Sequence, residues 1–256
     1  MTTLSPITAF FHKTAAVEAR RSRLPDSIVR LLDRPVDHYR QPAGADPSIE
    51  PLTHVAFVLD ASGSMGRDKA ETIDGFNAQV AAVREGAVAA GRTTFTDVHF
   101  GGDVRINGVA TDIDSLKTLT PEGYQPHGNT PLYDALGATI AALLDTARID
   151  DARTATLVTV FTDGMENSSF RFDLPTLRAV IERLEATGRW TFALVGPTGS
   201  VHQLAEALAV HLDNVEAYDP ASVSEKVNAF DRTSMSKRAY MEARSAGATA
   251  ARGLFK

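Results

Sequence analysis

The sequence predicts an α/β protein built on a doubly wound, mainly parallel sheet, with one antiparallel edge strand and helices on both faces. Short apolar segments of the buried-strand type alternate with longer segments whose apolar residues recur every three or four positions. Helical segments between strands allow right-handed crossovers, which make successive strands parallel. Strands that are apolar on both sides indicate a sheet covered on both faces.

The first half of this pattern contains three predicted strands and two predicted helices. An apolar strand is followed by a helix with one apolar face, and then by two segments rich in strand-forming residues. The residues Gly101, Gly102 and Asp103 join these two segments as a tight turn, so they are predicted to form an antiparallel hairpin. The predicted strands are 55–59, 93–100 and 104–109, and the predicted helices are 69–85 and 114–119.

The second half alternates regularly between helix and strand. A helix with leucine and isoleucine on one side starts at Pro131, and three apolar strands then alternate with three helical segments. This order is typical of a sheet built from crossover units. The predicted helices are 131–147, 174–187, 201–210 and 221–230, and the predicted strands are 156–161, 190–195 and 215–218.

The predicted domain occupies residues 52–230 and is flanked by two segments of different composition. Residues 1–51 are expected to form a helical appendage, with helices over 7–23 and 25–32, followed by a linker with four prolines. Residues 231–256 carry 6 Lys/Arg and 2 Asp/Glu, and we expect them to form a basic, solvated and frayed C-terminal tail.

Composition and charge exclude several classes of protein. Residues 51–230 carry 13 Lys/Arg against 24 Asp/Glu, so no nucleic acid is expected as a partner. The 256 residues include no cysteine, which rules out disulfides and thiolate metal sites. No apolar run approaches the roughly 18–20 residues that span a bilayer, and the N-terminus lacks a secretory signal. We therefore expect a cytoplasmic protein without a membrane partner.

Oxygen-bearing side chains follow two of the predicted strands and precede one helix. Asp60, Ser62 and Ser64 come at the end of the first strand, Asp163 follows the strand 156–161, and Thr130 precedes Pro131. In a parallel sheet, ligands bind beyond the carboxyl ends of the strands, so these five side chains are expected to converge. Two carboxylates and three hydroxyls suit a hard cation such as Mg²⁺, or alternatively Mn²⁺ or Ca²⁺.

Each of these residues also has a purely structural interpretation. Asp163 with Gly164 is a common turn pair, and Thr130 before Pro131 is a good helix N-cap. Ser62 and Ser64 are able to satisfy backbone donors within a tight turn. Three further residues are weaker candidates for a rim that contacts a partner: Asp134, Glu166 and Asn167.

The motif Asp60-x-Ser62-x-Ser64, together with Thr130 and Asp163, resembles the metal-ion-dependent adhesion site of von Willebrand factor A domains. The segments 124–135 and 162–169 further resemble stand-alone bacterial and phage members of that family. The resemblance covers about residues 52–230. It implies that Ser62, Ser64 and either Thr130 or Asp163 bind the cation directly, that Asp60 acts largely through water, and that a carboxylate from a partner protein fills the open position.

Three other functions remain as alternatives. Ser64 followed by Asp163 and then His202 or His211 matches the chain order of an α/β-hydrolase triad, although Ser62 replaces the first glycine of the nucleophile motif. A magnesium phosphatase with Asp60 as nucleophile lacks the second aspartate that it needs at position 62. A metal site that only holds the loops together, without any partner, is the third alternative.

The prediction is therefore a non-enzymatic, divalent-cation-dependent interaction module. Its partner is expected to be a protein that presents an exposed Glu or Asp, with this chain acting as an adaptor or assembly factor.

Overall fold

The computed structural model describes residues 22–34 and 48–256. Its centre is a six-stranded sheet of order β3-β2-β1-β4-β5-β6, in which only β2 and β3 pair antiparallel. The predicted mainly parallel sheet with one antiparallel edge strand is thereby confirmed. The strands are β1 Leu52–Asp60, β2 Arg92–Phe100, β3 Val104–Asp112, β4 Thr154–Phe161, β5 Trp190–Pro197 and β6 Val215–Tyr218.

Six α-helices of the described residues cover the two faces of this sheet. Alternate residues of β1 point to opposite sides, so Ala56 and Val58 join the core under α1, α3, α4 and α5, while Val55, Phe57 and Leu59 join the core under α2 and α6. The doubly wound arrangement is confirmed. The helices are α1 Asp26–Asp33, α2 Lys69–Ala90, α3 Leu132–Leu144, α4 Leu174–Ala186, α5 Val201–Leu208 and α6 Val223–Ser245.

Residues 22–34 pack more closely on the domain than an appendage would. The predicted second helix is confirmed as α1, and its residues Ile28 and Leu31 are buried in the core. Ser27 Oγ also donates to the carbonyl of Ala141 in α3 at 3.3 Å. The predicted first helix over 7–23 lies almost wholly outside the described residues, as does most of the linker.

The prediction of a frayed C-terminal tail is wrong. Helix α6 continues 15 residues past the predicted end at Phe230, to Ser245, and packs along α2. Tyr240, Met241 and Arg244 are buried in this stretch, and Leu254 is buried beyond it. The prediction assumes that the basic residues of this segment are solvated, but the side chains of Lys237 and Arg244 are buried.

One short predicted helix also differs. Residues 114–119 were expected to be helical, but only a 3₁₀ turn over Ile113–Ser115 forms. Asp112 caps this turn by accepting a hydrogen bond from the amide of Asp114. The remaining residues of that segment line a loop along the edge of α2, where Asn77 donates to the carbonyl of Leu119.

Candidate metal centre

Three segments of the chain meet at the carboxyl edge of the central strands. Asp60 is the last residue of β1, and Asp163 lies two residues after the end of β4. Because β1 and β4 pair in parallel, with Leu59 opposite Phe161, both strands deliver their following loops to the same point. The loop before α3 brings Thr130 to this edge, next to Gly164. The predicted convergence of these side chains therefore depends on the parallel register of β1 and β4.

The hydroxyl and carboxylate oxygens lie close together in this cluster. Ser62 Oγ and Ser64 Oγ are 3.1 Å apart, and Ser64 Oγ donates to Asp163 Oδ1 at 2.7 Å. Thr130 Oγ1 lies 3.5 Å from the position that a β-carbon on Gly164 would occupy. Adjacent oxygens of an octahedral site with metal–oxygen distances of about 2.1 Å are separated by about 3 Å. The spacings between Ser62, Ser64 and Asp163 match that edge length.

Asp60 is the buried anchor of the cluster, with no exposed surface. Its Oδ1 accepts the amide of Ser62 at 2.7 Å, and its Oδ2 accepts the Thr162 hydroxyl at 2.6 Å. Burial raises the pKa of Asp60 above its ordinary value; the hydrogen bonds from Ser62 and Thr162 oppose that rise, and the nearby Asp163 carboxylate adds to it. A cation beside the two carboxylates would compensate this burial.

Two residues that support Asp60 have no counterpart in the sequence prediction of the site. Thr162 is not among the predicted site residues, yet it holds one oxygen of the Asp60 carboxylate. The buried Tyr124 donates its hydroxyl to the Asp60 carbonyl at 2.5 Å. Its separation of 64 residues from Asp60 gives no local pattern that would have identified this contact.

The interpretation of Thr130 as a helix N-cap is wrong. Helix α3 begins at Leu132 after Pro131, and no side chain of its own segment caps it. The free amides of its first turn are satisfied by the loop after β4, since Glu166 Oε2 accepts from Tyr133 N at 2.9 Å and Ser169 Oγ from Asp134 N at 3.0 Å. The Thr130 hydroxyl is therefore not used for capping.

The three predicted rim residues join the two loops to each other. Asp134 is buried, and its carboxylate accepts the amides of residues 170, 171 and 172 at 2.8–3.0 Å. Both oxygens of Glu166 accept hydrogen bonds from within the loops. Asn167 Oδ1 accepts from Thr130 N at 2.8 Å, and Asn167 N donates to the Thr130 carbonyl. A rim role for Asp134 is wrong because it is buried. Rim roles for Glu166, whose carboxylate also caps α3, and for the exposed Asn167 stay predictions.

The serine turn is held against the loop before Thr130 by backbone contacts. Gly63 N donates to the carbonyl of Gly128, and His127 N donates to the carbonyl of Ala61. Gly128 has a φ of +72° and approaches Gly102 so closely that an added β-carbon would lie 2.4 Å from the Gly102 Cα. Only glycine fits this position. Gly128 therefore allows the serine turn, the loop before Thr130 and the turn between β2 and β3 to lie close together.

Ser62 and Ser64 do not act as turn caps. Ser62 stands at the start of the 3₁₀ turn Gly63–Asp68 but caps none of its amides. Their hydroxyls instead contact each other and Asp163. This removes the turn-cap interpretation for both serines.

The arrangement required by the hydrolase alternative is not present among the described residues. The hydrogen bonds of Ser64 Oγ involve Ser62 and Asp163, and none involves a histidine. His202 is exposed on α5, and His211 lies 3.6 Å from Asp213, whose amide it accepts. A triad with either histidine is therefore not formed.

The donor set is poor in charge. Within the described part of the chain, no group of three or more His, Asp or Glu side chains is placed to hold a metal ion. The cluster contains only two carboxylates, Asp60 and Asp163, and its other oxygens are the hydroxyls of Ser62, Ser64 and Thr130. Oxygen donors at these spacings fit a small, hard divalent cation that keeps part of its charge.

The fold and the site define an α/β domain with an oxygen-ligand cluster at the carboxyl edge of its sheet. The family model described as the von Willebrand factor type A domain matches residues 54–229. The chain belongs to this family, as its resemblance in sequence predicted. No curated protein matches the chain.

Solved structures share this fold at low sequence identity. The PilB minor pilin from Streptococcus sanguinis superposes with a TM-score of 0.52 and 12% identity, over 79% of this chain and 64% of the pilin. Its D319A mutant gives 0.51 and 14%, over 77% and 64%. Manganese-loaded TRAP protein from Plasmodium vivax gives 0.47 and 19%, over 70% and 72%. The chain thus spans less than two thirds of the pilin, and the likeness to the pilin shows the fold alone.

Among the described residues, none of the helices is both long and apolar enough to cross a membrane.

Proposed function

We propose that the chain is a divalent-cation-dependent interaction module that binds an acidic residue of a partner protein. Ser62, Ser64, Thr130 and Asp163 would hold the cation, which is Mg²⁺ or another hard divalent ion such as Mn²⁺ or Ca²⁺. Asp60, whose oxygens already accept from Ser62 N and Thr162, would act mainly through water. Von Willebrand factor type A domains often mediate protein–protein interactions with metal dependence, and membership of the family supports this proposal.

The observation that carries the proposal is the scarcity of charge in a cluster where Ser62, Ser64 and Asp163 bring their oxygens to within about 3 Å of the next. Three neutral hydroxyls and two carboxylates leave a divalent cation with positive charge to share, because one of those carboxylates is engaged by protein donors. When bound, the cation supplies an electrophilic position for a carboxylate oxygen. A partner's Glu or Asp would otherwise be repelled by the acidic body of the domain.

The proposal includes no catalytic step. Ser64 Oγ forms no hydrogen bond to a histidine among the described residues, which supports recognition over nucleophilic chemistry. An adaptor or assembly role in the cytoplasm is the corresponding cellular proposal.

The experiment is a pull-down with the full chain in Mg²⁺ or in EDTA, comparing the wild type with the variants Asp60→Ala and Ser64→Ala. We expect a partner that is captured by the wild type in Mg²⁺, and is lost in EDTA and with both variants. Ser64 is exposed, so its substitution leaves the core unchanged if removal of the buried Asp60 disturbs folding. Asp74→Ala, on the exposed side of α2, removes the same charge and serves as the matched control.

Capture that persists in EDTA would contradict the proposed mechanism. A cation that binds the purified chain, as measured by calorimetry, while no acidic partner ever depends on it would instead support the alternative of a structural metal site. The two measurements together separate recognition from loop stabilisation.

A further inference from the structure

A cavity of about 260 Å³ opens beside the candidate metal centre. It lies between the loop after β4, the end of β5 and helix α5. Thr162, Gly164 and Glu166 line it, and each of them also contacts the metal centre or its supporting loops: Thr162 binds Asp60, Gly164 adjoins Thr130, and Glu166 caps α3. The cavity and the metal centre therefore form one continuous surface.

The walls of this cavity are mainly apolar. They include, among others, Tyr133, Met165, Pro197, Val201, Leu204 and Ala207. Glu166 is the one charged side chain among the described residues that line it, and both of its carboxylate oxygens accept hydrogen bonds from Tyr133 N, Ser168 N and Ser169. The cavity thus offers no free charge to a ligand, in contrast to the carboxylates of the neighbouring metal centre.

The size and the rim of the cavity indicate which kind of side chain it could bind. Pockets for drug-sized ligands measure about 300–1,000 Å³, so this one has room for a single large side chain. Met165 stands at its rim with 66% of its surface exposed. A flexible thioether at an apolar opening adapts to different apolar shapes.

We propose that this cavity, which we name the apolar pocket, receives a large apolar side chain that lies within a few residues of the partner's acidic anchor. The partner would be an extended acidic–apolar peptide segment with the carboxylate at the metal centre and the apolar group in the pocket. The proposal rests on the proposed function, because the carboxylate sets where the peptide lies. The apolar pocket would restrict binding to partners with an apolar side chain near the acidic residue. The metal centre alone does not provide this restriction.

The charge distribution supports this occupant over others. A basic side chain finds no free carboxylate in the pocket, and a second acidic one finds no cation there. An apolar group loses its contact with water on entering and replaces it with the contacts of Leu204 and Met165.

A displayed library of random twelve-residue peptides tests the proposal. The library is panned against the full chain in Mg²⁺, and bound phage are eluted with EDTA. We expect the eluted peptides to carry Asp or Glu with Leu, Ile, Met, Phe or Trp within three positions, well above their frequency in the library. Synthetic peptides from this pool should then bind Ala207→Phe about tenfold or more weakly than wild type, because the new ring fills the pocket.

The matched control is His202→Phe, which places the same ring on the exposed side of α5. Its affinity for the selected peptides should equal that of the wild type, and both variants should bind Mn²⁺ and melt as the wild type does.

Three results would overturn the proposal, and the failure of the apolar pocket alone is distinguishable from the failure of the proposed function. EDTA-eluted peptides that carry an acidic residue without apolar neighbours, or equal binding by Ala207→Phe, would refute the apolar pocket and leave the proposed function standing. A library that yields no peptide dependent on Mg²⁺ would count against both.

Discussion

At the scale of single residues, the oxygens of the candidate metal centre fall into two groups. Some already accept hydrogen bonds from the protein, and others remain available to bind a cation. Both carboxylate oxygens of Asp60 accept protein donors, so Asp60 positions the turn that follows it. The Thr130 hydroxyl caps no helix, and the Ser62 and Ser64 hydroxyls contact each other. The residues with available oxygens are therefore the ones proposed to touch the cation.

Substitution of Thr130 by alanine tests this division. We expect Thr130→Ala to bind Mn²⁺ at least about tenfold more weakly, because one oxygen donor is lost, while its melting temperature without metal stays within a few degrees of the wild type. The fold is expected to persist because the hydroxyl is not needed to cap α3. Mn²⁺ titration followed by electron paramagnetic resonance measures the affinity.

Thr130→Ser keeps the oxygen and is the control. It should retain most of the affinity, and an equal loss in the serine variant would show that the threonine methyl group, not its oxygen, is what matters.

Lys237 is a second residue whose surroundings conflict with its charge. It is fully buried in α6, its Nζ has no hydrogen-bond partner among the described residues, and it lies 4.2 Å from the centre of the Phe57 ring. Burial lowers the pKa of Lys237 well below its ordinary value. The unfolded chain therefore binds this proton more strongly than the folded chain does, and stability contributed at this site rises with pH.

Lys237→Met should stabilise the protein. We expect a gain of about 1 to 3 kcal/mol in the free energy of unfolding at pH 7, because an unpaired amine is replaced by an apolar side chain of similar length. The gain should shrink as the pH approaches about 10, where the unfolded lysine also loses its proton. Urea unfolding at pH 7 and pH 10 measures both effects.

The control is Arg238→Met, one residue further along α6, where the guanidinium is exposed and pairs with Glu85 at 2.9 Å. It should change stability by less than about 0.5 kcal/mol. A Lys237→Met protein less stable than the wild type would mean that the contact with Phe57 outweighs the cost of burial.

At the scale of elements, helix α6 is the largest departure from what its sequence predicts. Its buried positions include the polar residues Lys226, Thr233, Ser234, Lys237 and Arg244, so no apolar stripe marks the inner face. Arg244 donates to the carbonyls of Leu52 and Arg153 and to Thr53 Oγ1, which ties the end of α6 to the starts of β1 and β4. Helical periodicity in hydropathy fails in α6 because polar side chains occupy many of its buried positions.

Two methionines on α6 test whether this stretch is an integral part of the domain. Met241 is buried against Gly86 of α2, where an added β-carbon would lie 2.5 Å from the Met241 Cβ, whereas Met235 is 67% exposed. We expect Met241→Asp to lower the free energy of unfolding by about 3 kcal/mol or more, because it buries an unpaired carboxylate. Thermal unfolding measures the change.

Met235→Asp makes the same substitution on the exposed side of the helix and should shift stability by less than about 0.5 kcal/mol. Equal, small effects of both substitutions would restore the original expectation of a solvated tail.

At the scale of the whole molecule, the convergence of the candidate ligand residues at one sheet edge was predictable from sequence, and their supporting contacts were not. Apolar strands ending at Asp60 and near Asp163 follow from hydropathy, and parallel pairing brings such ends together. The contacts of Tyr124, Asp134 and Glu166 join residues 33 to 64 positions apart, with no spacing rule that would reveal them. Local patterns predict elements, whereas the supporting contacts depend on how distant loops meet.

Cation binding should be visible in the stability of the whole domain. With Mg²⁺ at about 100 times its dissociation constant, linkage adds about 2.7 kcal/mol, or about 5 to 10 °C in melting temperature for a chain of this length. Calorimetric melts of the wild type with Mg²⁺ and with EDTA should show this difference. Asp60→Ala should show almost none of it.

An equal rise in melting temperature for Asp60→Ala would place the stabilising ion elsewhere on the molecule. A parallel melt of Asp74→Ala, which should respond to Mg²⁺ as the wild type does, controls for the general loss of a negative charge.

The first turn of α3, which ends the loop before that helix, exchanges caps with the loop after β4, and this has a consequence for engineering. Glu166 and Ser169 complete the start of α3, and Asp134 of α3 completes the turn at residues 170–172. Neither loop carries all of its own hydrogen-bond partners, so grafting one of them onto another scaffold would leave backbone amides unsatisfied on both sides. The two loops are one transplantable unit, and a library that varies recognition must vary them as a pair.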